Sequence, residues 1–209
     1  MTPFTIEASP PILSRDIRAF YHANFYGASH PENPNFLYKL KNDNHHNWTD
    51  VQLEQACTEF MRILLTDLPQ IKQTLQLQTM TVCVVPRAKS EGTYNTNQLF
   101  FREAISAIVN NRLNGFENGT RYIIRHTNTK TTHLRNPVDG FVNDGQLPYA
   151  GITLDTCTIS PNVVEKNILL IDDIYTKTVN IDEDAIQALL TKGANSVAFY
   201  AIGKTVLRY

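Results

Sequence analysis

Ile168-Leu-Leu-Ile-Asp-Asp-Ile-Tyr-Thr-Lys-Thr-Val-Asn180 is the stretch on which the reading of this chain turns. A short apolar run bounded by polar residues reads as a buried strand. It ends in two adjacent carboxylates, Asp172 and Asp173, and is followed by a polar loop, Thr176 to Asn180. A helical pattern then runs from Ala185 to Lys192 and stops at Gly193, the residue type that best closes a helix in the left-handed conformation. Carboxylates at a strand end can accept hydrogen bonds from the vicinal hydroxyls of a sugar. A loop that opens a helix presents backbone N–H groups and the positive end of the helix dipole to a phosphate. The hydroxyls of Thr176 and Thr178 add donors, so adjacent parts of one turn match a sugar diol and a phosphate.

Working outward, the segment Met80 to Pro86 is a second β-branched apolar run, Arg121 to Arg125 a third strand, and Ser196 to Ile202 a last one. Phe100 to Val109 has helical periodicity. Strands separated by helices predict βαβ units in an α/β fold with a doubly wound, mainly parallel sheet. Ligands of such sheets bind beyond the carboxyl ends of the strands, which points to the segments following Pro86, Arg125 and Asp172. This core is expected over residues 79–209. Residues 1–78 are expected to form an N-terminal helical region, a hood or partner surface. Within it a first helix is predicted from Ser14 to Asn24, with Ile17, Phe20 and Tyr21 at helical spacing, and Lys39 to Trp48 reads as loop. A second helix starts with Thr49 as N-cap and Gln52 three residues on, and carries a stripe of Val51, Leu53, Ala56, Phe60, Ile63 and Leu64.

The 209 residues suffice for a hydrophobic core without disulfides or metals. Nineteen basic against twenty acidic residues give no global sign of a nucleic-acid or membrane partner. The three cysteines, Cys57, Cys83 and Cys157, form no CxxC pair, and their odd number argues against a disulfide framework. No basic segment followed by an apolar one opens the chain, and no apolar run approaches the roughly 20 residues that span a bilayer. The expectation is a soluble cytoplasmic protein. His45 and His46 lie in a polar loop and read as solvated, and Asp182, Glu183 and Asp184 read as partners of a helix dipole. Gly203-Lys204-Thr205 lacks the upstream glycine of a phosphate-binding loop, because Ala198 stands in its place. Arg121, Arg125, Lys130 and Arg135, with His126 and His133, make a basic stretch that reads as a solvated loop or as a phosphate or nucleic-acid contact.

The motif resembles that of the type I phosphoribosyltransferase family, whose signature is an apolar strand, two acidic residues and a Thr-Thr-Gly-x-Thr type loop. The nearest likeness is to the ComF-type, amidophosphoribosyltransferase-like branch, which reads approximately Asp-Asp-Val-Tyr-Thr-Thr-Gly-Ala-Thr against Asp172 to Asn180 here. Upstream, Val84-Val85-Pro86 with Arg87 and Lys89, then Asn97-Gln98-Leu99, resemble that family's first strand end, basic loop and helix start. Arg125-His126-Thr127, then Arg135-Asn136 and Gly140-Phe141, resemble its second strand and mobile loop, so the likeness spans residues 79 to 203.

The resemblance implies that Asp172 and Asp173 hold the ribose hydroxyls of phosphoribosyl pyrophosphate. Thr176, Lys177, Thr178, Val179 and Asn180 would cradle its 5′-phosphate, Arg87, Ala88 and Lys89 would border the pyrophosphate, and Tyr175 and Arg125 would also bind the substrate. Mg²⁺ would be carried mainly by the substrate's own oxygens, with no metal site built by the protein alone. The implied chemistry is displacement of pyrophosphate from the anomeric carbon by a nitrogen nucleophile, and many such domains pair as homodimers. The chain departs from the family pattern in the loop, where Thr178 replaces glycine and Asn180 the last hydroxyl residue, and in the absence of an N-terminal zinc ribbon. A β-branched residue tolerates positive φ badly. Two readings follow: an active transferase, or a degenerate nucleotide sensor or effector working with a protein or nucleic-acid partner, for example in DNA uptake or defence.

Overall fold

In the computed structural model, residues 1–27, 30–41, 48–131 and 151–206 are described. They form an α/β fold with a mixed, mostly parallel six-stranded sheet and helices on both faces. The sheet comprises β1 (Thr2–Ile6), β2 (Ile17–Phe25), β3 (Met80–Val84), β4 (Phe116–Asn118), β7 (Asn167–Tyr175) and β8 (Ser196–Thr205). Its spatial order is β1-β2-β8-β7-β3-β4, with every neighbouring pair parallel except β1 and β2. A separate antiparallel pair, β5 (Ile123–Arg125) and β6 (Cys157–Ile159), adds Ile123, Cys157 and Ile159 to one of the two cores.

The central strands are apolar without alternation because both their faces are covered. In β7, Leu169 and Ile171 enter the core formed with α1 (Phe36–Lys41), α2 (Asp50–Thr74) and α3 (Phe100–Asn111). Ile168 and Leu170 enter the opposite core, against α4 (Ile181–Thr191). The expected capping box of α2 is present: Thr49 Oγ1 accepts from the N–H of Gln52, whose side chain accepts from the N–H of Thr49. Its stripe is buried from Leu53 onward, whereas Val51 is exposed. Pro69 does not end the helix, which continues to Thr74. Gly193, at φ +103°, follows α4 as expected.

Three expectations are corrected. Residues 14–24 do not form a helix: Ile17–Phe25 is strand β2, bonded in parallel to β8. The spacing of Ile17, Phe20 and Tyr21 mimics a helical face because a strand covered on both sides buries Ile17 and Ala19 in one core and Phe20 in the other. Of the N-terminal helical region, α1 and α2 are therefore helices, while residues 2–25 contribute two strands to the sheet. The strand around Arg125 is not part of the main sheet, and the position beside β3 is taken by the short β4. No helix among the described residues is long and apolar enough to cross a membrane.

One buried polar network ties α2 to the sheet. Asp67 lies in the apolar stripe of α2 at 2% exposure. Its Oδ2 accepts from the Tyr200 hydroxyl of β8 at 2.7 Å and lies 2.9 Å from Nδ1 of His22 on β2. Burial pushes the Asp67 carboxyl up, but the hydrogen bonds from His22 and Tyr200, with the nearby His22 charge, hold it below its ordinary value. A depressed folded value means that the stability this group contributes is present above its unfolded value and lost as pH falls towards the folded one. Tyr200→Phe is therefore expected to lower the unfolding free energy by about 1–3 kcal/mol at neutral pH. In urea melts between about pH 7 and pH 3 the deficit should shrink as the solution becomes acid; a deficit independent of pH would count against the network.

Candidate functional site

The connections leaving β3 and β7 diverge: β3 leads through α3 to β4 on one side, and β7 through α4 to β8 on the other. Such a divergence opens a crevice at the carboxyl ends of the two strands, the usual ligand position of an open α/β sheet. Val84 is the last β3 residue in register with β7, opposite Ile171, and the N–H of Val85 donates to the Ile171 carbonyl at 3.0 Å. Pro86 follows and has no N–H to give. Strand β7 runs on beside β8 alone, as far as Tyr175 opposite Lys204. Asp172 and Asp173 therefore lie within the strand rather than at its end. Each carboxylate closes the next backbone donor, Asp172 Oδ1 accepting from the N–H of Asp173 and Asp173 Oδ1 from that of Ile174, both at 2.7 Å.

Successive strand residues face opposite sides, and the partners of the two acids reflect this. Asp173 pairs with Nζ of Lys41, the last residue of α1, at 2.9 Å. Asp172 is hydrogen-bonded to Asp182 in the first turn of α4. Burial pushes the Asp172 carboxyl up to about 6, against the hydrogen bond from Asp182 and the charge of Lys41. Burial, with the charge of Asp172 and the hydrogen bond to it, raises Asp182 well above the carboxylate range. Asp182 and Glu183 stand in the first turn of α4, as expected of partners of the helix dipole, but they are buried, at 4% and 3% exposure. Glu183 accepts from the Tyr175 hydroxyl at 2.8 Å and is raised by burial, as is Asp184. Tyr175 itself points into the core, so its hydroxyl is committed to Glu183.

The turn from Thr176 to Asn180 is compact, with the Val179 N–H on the Thr176 carbonyl and the Asp184 N–H on that of Asn180. Thr176 Oγ1 and Thr205 Oγ1 share a hydrogen bond of 2.8 Å, and Lys177 reaches Glu7 at 2.8 Å on the exposed side. The only non-glycine residues with positive φ among those described are Gln76, Glu165 and Asn180, the last at 60°. The left-handed position of the loop is therefore Asn180, a residue type that adopts it readily, and Thr178 is spared the strain expected of it.

Across the crevice, the loop after β3 is fixed by cations that bond carbonyl oxygens. Arg125, 3% exposed, donates to the Arg87 carbonyl at 2.8 Å. Lys89, 5% exposed, donates to that of Thr129 at 2.9 Å, and Thr129 in turn bonds the Ala88 carbonyl through its N–H and hydroxyl. The Arg87 guanidinium bonds the carbonyls of Lys41 and Gln98 and lies 4.7 Å from the Tyr94 ring centroid. A small cavity of about 50 Å³ is lined by Pro86, Arg87, Lys89, Tyr94, Gln98 and Arg125, among others. Through Lys41 the two sides meet, since its carbonyl holds Arg87 and its ammonium holds Asp173. Lys41 carried no sequence signal and Asp182 only that of a helix-start acid; neither stands in the motif, and only the packing of α1 and α4 against β7 brings them to it.

Among the described residues of the basic stretch, Arg125 is buried and Arg121 binds Glu91 and Glu103. His133, Arg135, Asn136, Gly140 and Phe141, like His45 and His46, lie outside the described residues. Among the described residues, no three carboxylate, thiol or imidazole groups converge on a metal position. No protein-family model matches the chain, and no curated protein matches it.

The turn geometry is open to test by unfolding. Asn180→Ala is expected to cost about 1 kcal/mol, and Asn180→Gly less than about 0.5 kcal/mol. Thr178→Gly should destabilise by up to about 1 kcal/mol, because it adds chain freedom at a position that does not need it. A stabilising Thr178→Gly would place the strained residue at 178 instead.

Proposed function

We propose that the crevice beyond β3 and β7 binds phosphoribosyl pyrophosphate together with the Mg²⁺ that its phosphates carry, in the manner of a type I phosphoribosyltransferase. The observation that carries this reading is the position of Asp172 and Asp173, consecutive residues of β7 where the sheet's connections diverge, shortly before the loop that opens α4. In this reading the two carboxylates accept the ribose hydroxyls. The backbone N–H groups between Thr176 and Asn180 receive the 5′-phosphate at the helix start. The loop of Arg87, Ala88 and Lys89, tied to Arg125 and Thr129, forms the wall beside the pyrophosphate. A nitrogen nucleophile then bonds the anomeric carbon as its bond to pyrophosphate oxygen breaks. The protein contributes placement of the two reactants and stabilisation of the charge on sugar and leaving group.

A second reading, a nucleotide sensor without turnover, draws support from two features. Lys41 already neutralises Asp173, and a ligand hydroxyl must compete with it. The first turn of α4 holds three acids, which compete with an incoming phosphate for the positive helix end.

Calorimetry with phosphoribosyl pyrophosphate, with and without Mg²⁺, tests both readings. Binding assisted by the metal is expected, weakened about tenfold or more by either Asp172→Asn or Asp173→Asn, as loss of a charged hydrogen bond requires. Absence of binding at millimolar ligand would overturn the assignment. Where binding is found, pyrophosphate release in the presence of nitrogen acceptors separates the transferase from the sensor.

A further inference from the structure

We infer that Asp182, in the first turn of α4, is a positioning residue that acts through Asp172, holding it as a hydrogen-bond acceptor for a ligand hydroxyl by keeping a proton between the two carboxyl groups. The inference rests on the proposed ligand site for its functional meaning and on the packing of α4 for its geometry. Asp182 is buried and hydrogen-bonded to Asp172, and its buried Oδ1 meets no hydrogen-bond donor among the described residues. An ionised oxygen in that position would be both desolvated and unbonded, which is costly unless it is protonated. Two carboxylates in contact cannot both ionise freely, so one proton stays with the pair. The charged and titratable groups around the pair, among the described residues, are as follows. Lys41 approaches from α1 and lowers both acids, and Asp173 sits next to Asp172 on β7. Glu183, bonded to Tyr175, and Asp184 complete the turn of α4.

With the proton on Asp182, its O–H donates to Asp172, and the remaining lone pairs of Asp172 accept from the Asp173 N–H and from a ribose hydroxyl. A donor to the ionised form opposes the effect of burial, which otherwise drives Asp172 towards the neutral acid. Removing the donor should therefore make Asp172 take up a proton at higher pH, whereas an amide N–H in the same place should still donate.

The experiment follows phosphoribosyl pyrophosphate affinity against pH in the wild type, Asp182→Ala and Asp182→Asn. Wild-type affinity is expected to fall about tenfold per pH unit once pH drops below the Asp172 value of about 6. In Asp182→Ala the fall should begin at higher pH, and in Asp182→Asn, which retains a donor, it should return to the wild-type onset. An Ala variant with the wild-type onset, or an Asn variant that follows Ala, would overturn the inference. If the wild type binds no ligand at any pH, the proposed function falls instead. The carboxyl ¹³C shift of Asp172, titrated in the three ligand-free proteins, then reads the same onsets: an Ala onset displaced upward and restored by Asn upholds the pair, and three coincident onsets sink it.

Discussion

Strand β7 has β3 beside it only as far as Ile171, and β8 beside it as far as Tyr175. The arrangement of the carboxyl-end crevice follows from that inequality. A strand without a neighbour has backbone donors to satisfy, and here the side chains of Asp172 and Asp173 satisfy the next two. The same pleat that alternates apolar side chains between the two cores turns the two acids to opposite faces, where α1 and α4 supply Lys41 and Asp182. The ending of β3 also releases the segment from Pro86 onward. There, in place of a strand, Arg125 and Thr129 hold the carbonyls of Arg87 and Ala88, and the side chains of Arg87 and Lys89 bond the carbonyls of Gln98 and Thr129.

Much of this was legible in the sequence, and the parts that were not have physical causes. Strands β3, β7 and β8 were readable because a strand covered on both faces is apolar at every position, and α2 because Thr49 and Gln52 satisfy the first-turn donors locally. Strand β2 was misread because its composition depends on which side each residue is covered, a tertiary fact: Ile17, Phe20 and Tyr21 fit a helix as well as a twice-covered strand. The three-residue β4 carries no apolar run at all, being Phe116, Glu117 and Asn118.

Within the candidate site, the acidic pair and the loop that follows were found from their types and order. The strand's true end was not, since it depends on how far β8 extends beside it. The consequence of losing glycine at Thr178 was also misplaced by two residues. Loop handedness is a property of the backbone path, and that path assigns the left-handed position to Asn180. Asp182 reads as a helix-start acid and is one; the burial that changes its chemistry comes from the fit of α4 onto β7.

The pairing of β2 with β8 joins residues 17–25 to residues 196–205, with the Val206 N–H closing the ladder on the Phe25 carbonyl. On a ribosome, the β1–β2 hairpin emerges long before its parallel neighbour exists. At ordinary elongation rates the interval is roughly ten to thirty seconds. During it, one rim of β2 displays unsatisfied amides and carbonyls, the kind of template that invites pairing with another nascent chain. The hairpin cannot shelter that rim, because β1 occupies the opposite side of β2. Completion of the sheet is thus a late, non-local event in biosynthesis, and the rim of β2 stays open to wrong pairing until β8 arrives.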